Sequence, residues 1–436
     1  MALHKKLLLI VVICFWGAAL SAQEIDTLKL DLPEVEKLLL ENNLSLLAEE
    51  LNIDIADAEI IQAKIWPNPT LSVDELNPYV SNYQKRHAEE QASLFGSESF
   101  GKYRQIEAQL EQVFSLAGSR KKRKAMAEVA ADQAEAYLAD FLLDLKTAFR
   151  KTIFDFTYHR LYHQMLNRQL TSLQTILTSY EKQYQQGNIN KMELTRLRVS
   201  EMKLKDEIID QQNTLGALQA ELIVLLNLPD KTNLIIEDVF KPNYDYQTFS
   251  MDLDFLQDQA LTNRPDIRIS VLEQELAEKE YAYEKSEGVP ELGVSISYDR
   301  GGGIYPDYVG LGFSIDLPFS NPNKGNIKKA KINIQQQEYF HQQHLLKVKT
   351  DIRNKYDRAY YFSQFFDGID ADYVEDLDKT MEAYTEYFKN RTINITTYMD
   401  FLEAYNDSKE SIFDNEREFF KAVEDLKYAT GIELNI

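Results

Sequence analysis

Along most of this chain apolar residues recur at helical spacing, and in four short stretches they alternate instead. Over Ala125–Tyr184 the apolar positions step by three to five residues: Ala127, Ala130, Ala134, Tyr137, Phe141, Leu145, Ala148, Ile153 and Phe156, then Leu166, Leu170, Leu173, Leu177, Tyr180 and Tyr184. A second stripe is more regular, running through Leu345, Val348, Ile352, Tyr356, Ala359, Phe362, Phe366, Ile369, Tyr373, Leu377, Met381, Tyr384 and Phe388. Residues three and four apart share one face of a helix, so both stretches read as long amphipathic helices. A stripe of about 60 residues, roughly 90 Å at 1.5 Å per residue, exceeds ordinary globular helices and implies coiled-coil packing. Each stripe closes on a similar phrase, "YQQGNINKMELTRL" from Tyr184 and "FKNRTINITTYMDFL" from Phe388, 204 positions apart. Each phrase opens a return helix, near Met192–Leu226 and Tyr398–Ala429.

The alternating stretches are "QIEAQLEQVF", "LGVSISYD", "VGLGFSIDL" and, more weakly, "TLSVDEL" (Thr70–Leu76). Period two with one apolar face predicts strands. Lengths of about 8–11 residues suit tilted strands crossing a bilayer, although a half-buried sheet in water carries the same pattern. The elements come in one order twice: a helix (Pro33–Ile65, then Arg264–Lys285), a Pro-containing turn, a strand, a loop, a strand, a basic patch, a long helix, a turn and a return helix. This internal repeat divides the chain into residues 23–228, a connecting segment 229–255, and residues 256–436.

Composition sharpens the picture. The 436 residues are 27% charged and 44% hydrophobic, with 16 Gly and 11 Pro, which suits long helices and leaves no room for a multi-helix membrane protein. A net charge of −22 argues against nucleic acid as a partner. Residues 1–22 carry Lys5 and Lys6, an apolar run and small residues, and read as a secretory signal peptide. The single cysteine, Cys14, lies inside it behind Val11, Val12 and Ile13, so no lipid-attachment cysteine, disulfide, thiol nucleophile or Cys-ligated metal is expected. Glycine-rich phosphate loops and nucleophile elbows are absent, so no enzyme activity and no cofactor are expected. The pairs His159/His163 and His341/His344 have ligand-like spacing but no supporting context, and read as solvated histidines rather than a metal site.

Four strands cannot close a barrel, and an open sheet edge in lipid strands backbone polar groups at several kcal/mol each. If the strands are transmembrane, the chain must oligomerise. At this point the layout resembles the TolC-type outer-membrane factors. The matching phrases are "NNLSLLAEELNIDIADAEIIQAKIWPNPTLSVD", "TNRPDIRISVLEQELAEKEY" with its Asn263-Arg264-Pro265-Asp266, "QLEQVFSLAGSRKKRKAMAE", and the two turns. The resemblance covers nearly the whole chain after residue 22. It implies a mainly α fold with a small transmembrane β part: a homotrimer whose four strands per chain build a twelve-strand barrel above a periplasmic α-helical barrel. It further implies an exit duct of a tripartite efflux pump, working with a periplasmic adaptor and an inner-membrane transporter. The "VFSLAGSRKKRK" junction leans toward the heavy-metal cation subgroup. A type I secretion duct and, in a different class, a periplasmic coiled-coil adaptor or scaffold are the alternatives.

The resemblance also assigns surfaces. The turns would dock the adaptor through Gly187, Asn188, Ile189 and Asn190, and through Thr392, Ile393 and Asn394. Asp400 and Glu403, three apart on one helix face, would form an acidic pore entrance with Arg391 as counter-charge and Glu193 as the first-repeat equivalent of Asp400. The second turn carries Asn390-Arg391-Thr392 where many relatives place a glycine, which leaves its geometry open. Arg120, Lys121, Lys122, Arg123 and Lys124, with Lys328 and Lys329 in the second repeat, follow the descending strands and would pair with outer-membrane lipid head groups.

Overall fold

The structure is a computed structural model describing residues 27–74, 82, 86, 106–237, 239, 251–300, 308–317, 319, 322–366, 369 and 372–434. The expected signal peptide, most of both interstrand loops and the middle of the connecting segment lie outside the described residues.

In chain order the elements are β1 (Thr27–Leu30), α1 (Leu32–Asn42), α2 (Leu44–Lys64), β2 (Thr70–Asp74), β3 (Ile106–Ser115), α3 (Ser119–Gln185), α4 (Lys191–Leu225), β4 (Asn233–Ile236), α5 (Leu253–Asn263), α6 (Pro265–Glu287), β5 (Glu291–Arg300), β6 (Tyr308–Ile315), α7 (Lys324–Phe365), α8 (Tyr373–Lys389) and α9 (Ile395–Thr430). The fold is mainly α with a small β part. None of the described helices is long and apolar enough to cross a membrane.

The long helix α3 and both return helices form where the apolar stripes place them. Two expectations are corrected. Pro33–Ile65 is not one helix. It breaks at Asn43, which is buried and extended (ψ 114°). The Asn43 carboxamide accepts from Leu46 N–H at 2.9 Å and donates to the Leu225 carbonyl at 2.8 Å, so it starts α2 while tying it to the end of α4. The second stripe is likewise interrupted: α7 ends at Phe365 and α8 begins at Tyr373, across a sequence containing Asp367, Gly368, Asp370 and Asp372. The described residues between them, Phe366, Ile369 and Asp372, are not helical although the stripe keeps its phase. The parallel pair β1–β4, joining Leu28 to Leu234 and Leu30 to Ile236, and helix α5 were not anticipated from the sequence.

Two compact units emerge, and each draws on both repeats. The first comprises residues up to 47, 142–260 and 351–436. Its core is built from α3, α4, α8 and α9, with Leu166, Leu173, Leu197, Phe388 and Tyr398 almost fully buried. Burial of such side chains is worth about 1.5–3 kcal/mol each. Arg150 on α3 gathers Glu36 of α1 at 2.5 Å and Glu424 of α9 at 3.0 Å in the same unit.

The second unit, residues 48–141 and 261–350, holds the antiparallel sheet in the order β2-β3-β5-β6. Its helices pack through Val129, Ala136, Ile269 and Leu272. The register aligns the alternation across all four strands. Leu71, Leu110, Ile296 and Leu311 form one cross-strand row, and Val73, Ala108, Tyr298 and Val309 another. Ser72, Gln109, Ser297 and Gly310 share a row on the opposite face.

Candidate functional site

Two surfaces stand out: the sheet and the hairpin ends. On the sheet, the apolar residues of the four strands other than Val113 and Tyr308 share one face, and most of that face is uncovered. Leu71 is 67% exposed, Leu311 and Phe313 74% each. The other face carries Glu111, whose Oε1 accepts from the Ser314 hydroxyl at 2.9 Å, together with glycines. A Cβ on Gly312 would stand 2.5 Å from the Ser295 hydroxyl, so the glycines there make room for the serines of the neighbouring strand.

At the strand-to-helix junction, the basic patch is divided. Arg120 is tied inward: its guanidinium lies 3.8 Å from the centre of the Trp66 ring and donates to the Lys64 carbonyl at 3.0 Å. It therefore closes the C-terminal end of α2. Lys124 pairs with Glu128 one turn along α3. Lys121, Lys122, Arg123, Lys328 and Lys329 enter no ion pair among the described residues.

The hairpin ends are built alike. After α3, Gly187 takes a left-handed conformation (φ +75°). Its N–H donates to the Tyr184 carbonyl at 2.9 Å, and Asn188 N–H reaches back to Gln183 at 2.9 Å, a Schellman closure. After α8, Arg391 takes the same conformation (φ +59°), with Arg391 N–H on Phe388 at 3.0 Å and Thr392 N–H on Tyr387 at 2.8 Å. The missing glycine therefore does not change the turn. Asn190 and Asn394 then cap α4 and α9, their side chains accepting from Glu193 N–H and Thr397 N–H at 2.9 Å each. Ile189 and Ile393 are half-buried between turn and cap. The rings of Tyr180, Phe388 and Tyr398 stack at 5.1 and 4.5 Å, locking the two hairpins side by side.

This alignment corrects one expected equivalence. Matched cap to cap, Glu193 corresponds to Thr397, and Asp400 corresponds to Arg196. Asp400 and Glu403 are exposed and line a groove of about 900 Å³ between α4 and α9. One wall, on α4, presents Lys191, Arg196 and Lys203; the facing wall, on α9, presents Asp400, Glu403, Asp407 and Glu410. Arg391 makes no ion pair with Asp400 or Glu403 within the chain. Arg196 instead crosses the groove to the Thr396 hydroxyl at 3.0 Å.

Deeper in the groove the hydroxyl of Tyr162, on α3, donates to Glu207 of α4 and also meets Glu410 of α9. Burial and the neighbouring Glu207 push the Glu410 carboxyl above the ordinary range. Burial and Glu207 likewise push the Tyr162 hydroxyl up. Nothing in residue spacing joins these three side chains; only tertiary packing does. Of the histidines, His159 meets Gln211 at 2.7 Å, His163 meets Asn167, His341 meets Ser270 at 2.8 Å and His344 meets Asp266 at 3.2 Å.

With this geometry in hand, known proteins give a consistent picture. The model of the outer membrane efflux protein family matches residues 35–228. No curated protein sequence matches significantly. Among solved structures, the fold is similar to CusC, from work on conformational changes accompanying folding and transmembrane channel formation, at 16% identity and a TM-score of 0.69 over 93% of this chain and 94% of that one. It is similar to the Campylobacter jejuni CmeC outer membrane channel, at 15% identity and a TM-score of 0.68 over 92% of this chain and 85% of that one. It is similar also to the open state of the Neisseria gonorrhoeae MtrE outer membrane channel, at 16% identity and a TM-score of 0.64 over 92% of this chain and 88% of that one. Residues 35–228 thus match the outer membrane efflux protein family, and the chain as a whole has the fold of TolC-like outer-membrane channels.

Proposed function

We propose that the protein is an outer-membrane exit duct, a homotrimer that passively conducts solute delivered by a periplasmic adaptor and an inner-membrane transporter. The observation that carries this reading is the sheet. Four strands in register present one uncovered apolar face and one polar, glycine-containing face, with β2 and β6 as open edges. In lipid such edges must be paired, and three copies supply twelve strands, an even number that closes a barrel. The apolar face then meets acyl chains and the polar face lines the lumen. The same reading puts the hairpin ends at the adaptor-facing mouth, with Asp400 and Glu403 beside it. It leaves Lys121, Lys122, Arg123, Lys328 and Lys329 for lipid head groups, without Arg120. The "VFSLAGSRKKRK" junction keeps metal cations among the candidate solutes.

Purified protein in detergent, tested by cross-linking and in planar bilayers, should be a trimer that opens ion-conducting pores without added energy. A stable monomer in detergent-free buffer, or the absence of conductance, would end this reading.

A further inference from the structure

We infer that the two hairpin ends together form one cationic docking surface, and that the partner surface it fits is acidic protein. This rests on the proposed docking of an adaptor at the ends and specifies that partner's chemistry.

Three observations carry it. First, the matched windows 181–198 and 385–402 hold six cations against four carboxylates, in a chain whose net charge is −22. A positive end is not what this composition would produce by default. Second, two of the four local carboxylates are neutralised by ion pairs within the chain, and a third accepts from a capping amide. Glu181 pairs with Arg198 at 2.9 Å, Glu386 with Lys389 at 2.7 Å, and Glu193 accepts from Asn190 at 2.9 Å. Lys182, Lys191, Arg196 and Arg391 are left with no ion pair among the described residues. Third, Arg391 holds a left-handed backbone that glycine adopts freely, as Gly187 does at the matched position. Strain retained at an exposed turn marks a side chain kept for what it contacts.

A protein fits better than an anionic membrane. Asp400 and Glu403 stand next to the cations and would repel a lipid surface, whereas a protein can place its carboxylates selectively. Met192 (66% exposed) and Tyr387 (51% exposed) add the apolar spots that protein interfaces use.

The test uses the full-length protein in detergent and a synthetic antiparallel helical hairpin with glutamates at its loop, beside glutamine and lysine twins. The glutamate hairpin should bind about ten-fold tighter than the glutamine twin at about 50 mM salt, and the advantage should shrink to about three-fold or less at about 300 mM. The combined variant Lys191→Gln, Arg196→Gln, Arg391→Gly should lose that advantage while keeping its circular dichroism and oligomer elution. Equal binding of the glutamate and glutamine hairpins, or a preference that survives in the variant, overturns the inference. Phosphatidylglycerol vesicles competing as well as the acidic hairpin would assign the surface to lipid and overturn it too. The sequence has one cysteine, Cys14, so Asn188→Cys provides a thiol at the end for cross-linking in cells. Adaptor cross-links that persist unchanged in the triple variant overturn the charge inference and leave adaptor docking standing. Absence of any adaptor cross-link removes the docking reading itself.

Discussion

Gly187 and Arg391 perform the same backbone task 204 positions apart, and they are not the only such pair. Among the described residues, six have a clearly left-handed φ, and they fall into three matched pairs: Gly118 with Asn323, Gly187 with Arg391, and Asn227 with Gly431. The first pair opens α3 and α7, the second closes α3 and α8, and the third ends the return helices α4 and α9. In every pair one member is glycine and the other is not. The two repeats therefore share backbone geometry, while the residues that realise it have diverged. At two of the three non-glycine members the side chain has a distinct place. Asn323 donates to the Glu284 carbonyl at 2.9 Å and to its carboxylate at 2.6 Å. Arg391 projects its charge at the hairpin end. The walls of the α4–α9 groove follow the same logic: Arg196 and Asp400 are matched positions of opposite sign.

The comparison extends to the breaks between helices, and there the largest effect is expected. Asn43 separates α1 from α2, and Arg264 separates α5 from α6, 221 positions on. Both are buried. Asn43 works through neutral hydrogen bonds, whereas Arg264 grips Asp266 with two, at 2.9 and 2.5 Å. Removing one partner of a buried pair costs about 3–5 kcal/mol, whereas losing a capping amide costs about 1–2. Arg264→Ala should thus lower the denaturation midpoint in detergent well beyond Asn43→Ala. The pH dependence separates the two further. Burial alone would raise the Asp266 carboxyl, but Arg264, with His344, outweighs it and holds the group below the usual carboxylate range. A depressed carboxylate contributes stability above its unfolded value of about 4, and that contribution is lost as pH falls through the lower folded value. Asp266→Asn should flatten this acid limb. Equal losses for the Asn43 and Arg264 variants, or an unchanged acid limb, would show that the two breaks are held by the same means.

The sheet sets the next effect. Leu71 and Leu110 come from the first repeat, Ile296 and Leu311 from the second, and all four share one row. Arginine near the membrane midplane costs about 2–4 kcal/mol on a lipid-facing strand. Leu71→Arg and Leu311→Arg should therefore reduce recovery of assembled protein from outer membranes to a similar degree. Damage from only one of them would place the two strand hairpins at different depths.

How much of this was legible in the sequence depends on whether the signal was local. Four strands and three long helices were, because period two and period 3.6 are written in neighbouring residues. The break at Asn43 was hidden because Leu44, Leu46 and Leu47 keep the surroundings apolar, and the partner that uses Asn43 is Leu225. The gap after Phe365 was hidden because Phe366, Ile369 and Tyr373 preserve the stepping. The β1–β4 pair joins four-residue strands about 200 positions apart, which no window detects. At the candidate sites, the turns and their capping asparagines were visible as repeated phrases. That Arg391 takes a glycine's conformation, that Arg120 turns inward onto Trp66, and that Tyr162 meets Glu207 and Glu410 were not, since each depends on which chain segment packs alongside.

The smallest effect tests the opening pair directly. Added bulk at Gly187 meets nothing within 4 Å, so Gly187→Ala should cost only the left-handed backbone penalty, about 1 kcal/mol. Arg391→Gly should return about the same amount, because the Schellman hydrogen bonds are made by the backbone and do not need the arginine. These changes act on turns at the exposed ends of helices, where opening is local, so amide hydrogen exchange is the suitable readout. Exchange at Asn188 N–H should speed up about five-fold in Gly187→Ala, and exchange at Thr392 N–H should slow about five-fold in Arg391→Gly. In the double exchange Gly187→Arg, Arg391→Gly the two shifts should appear each at its own turn and nearly cancel in overall stability, since the sites share no hydrogen bond. The charge, however, would have moved from one hairpin end to the other. Unchanged stability with altered binding of the acidic hairpin would show that the second repeat keeps arginine at this position for contact. If Arg391→Gly instead speeds exchange at Thr392, the arginine side chain supports the turn itself, and the two ends are not equivalent in the way their hydrogen bonds imply.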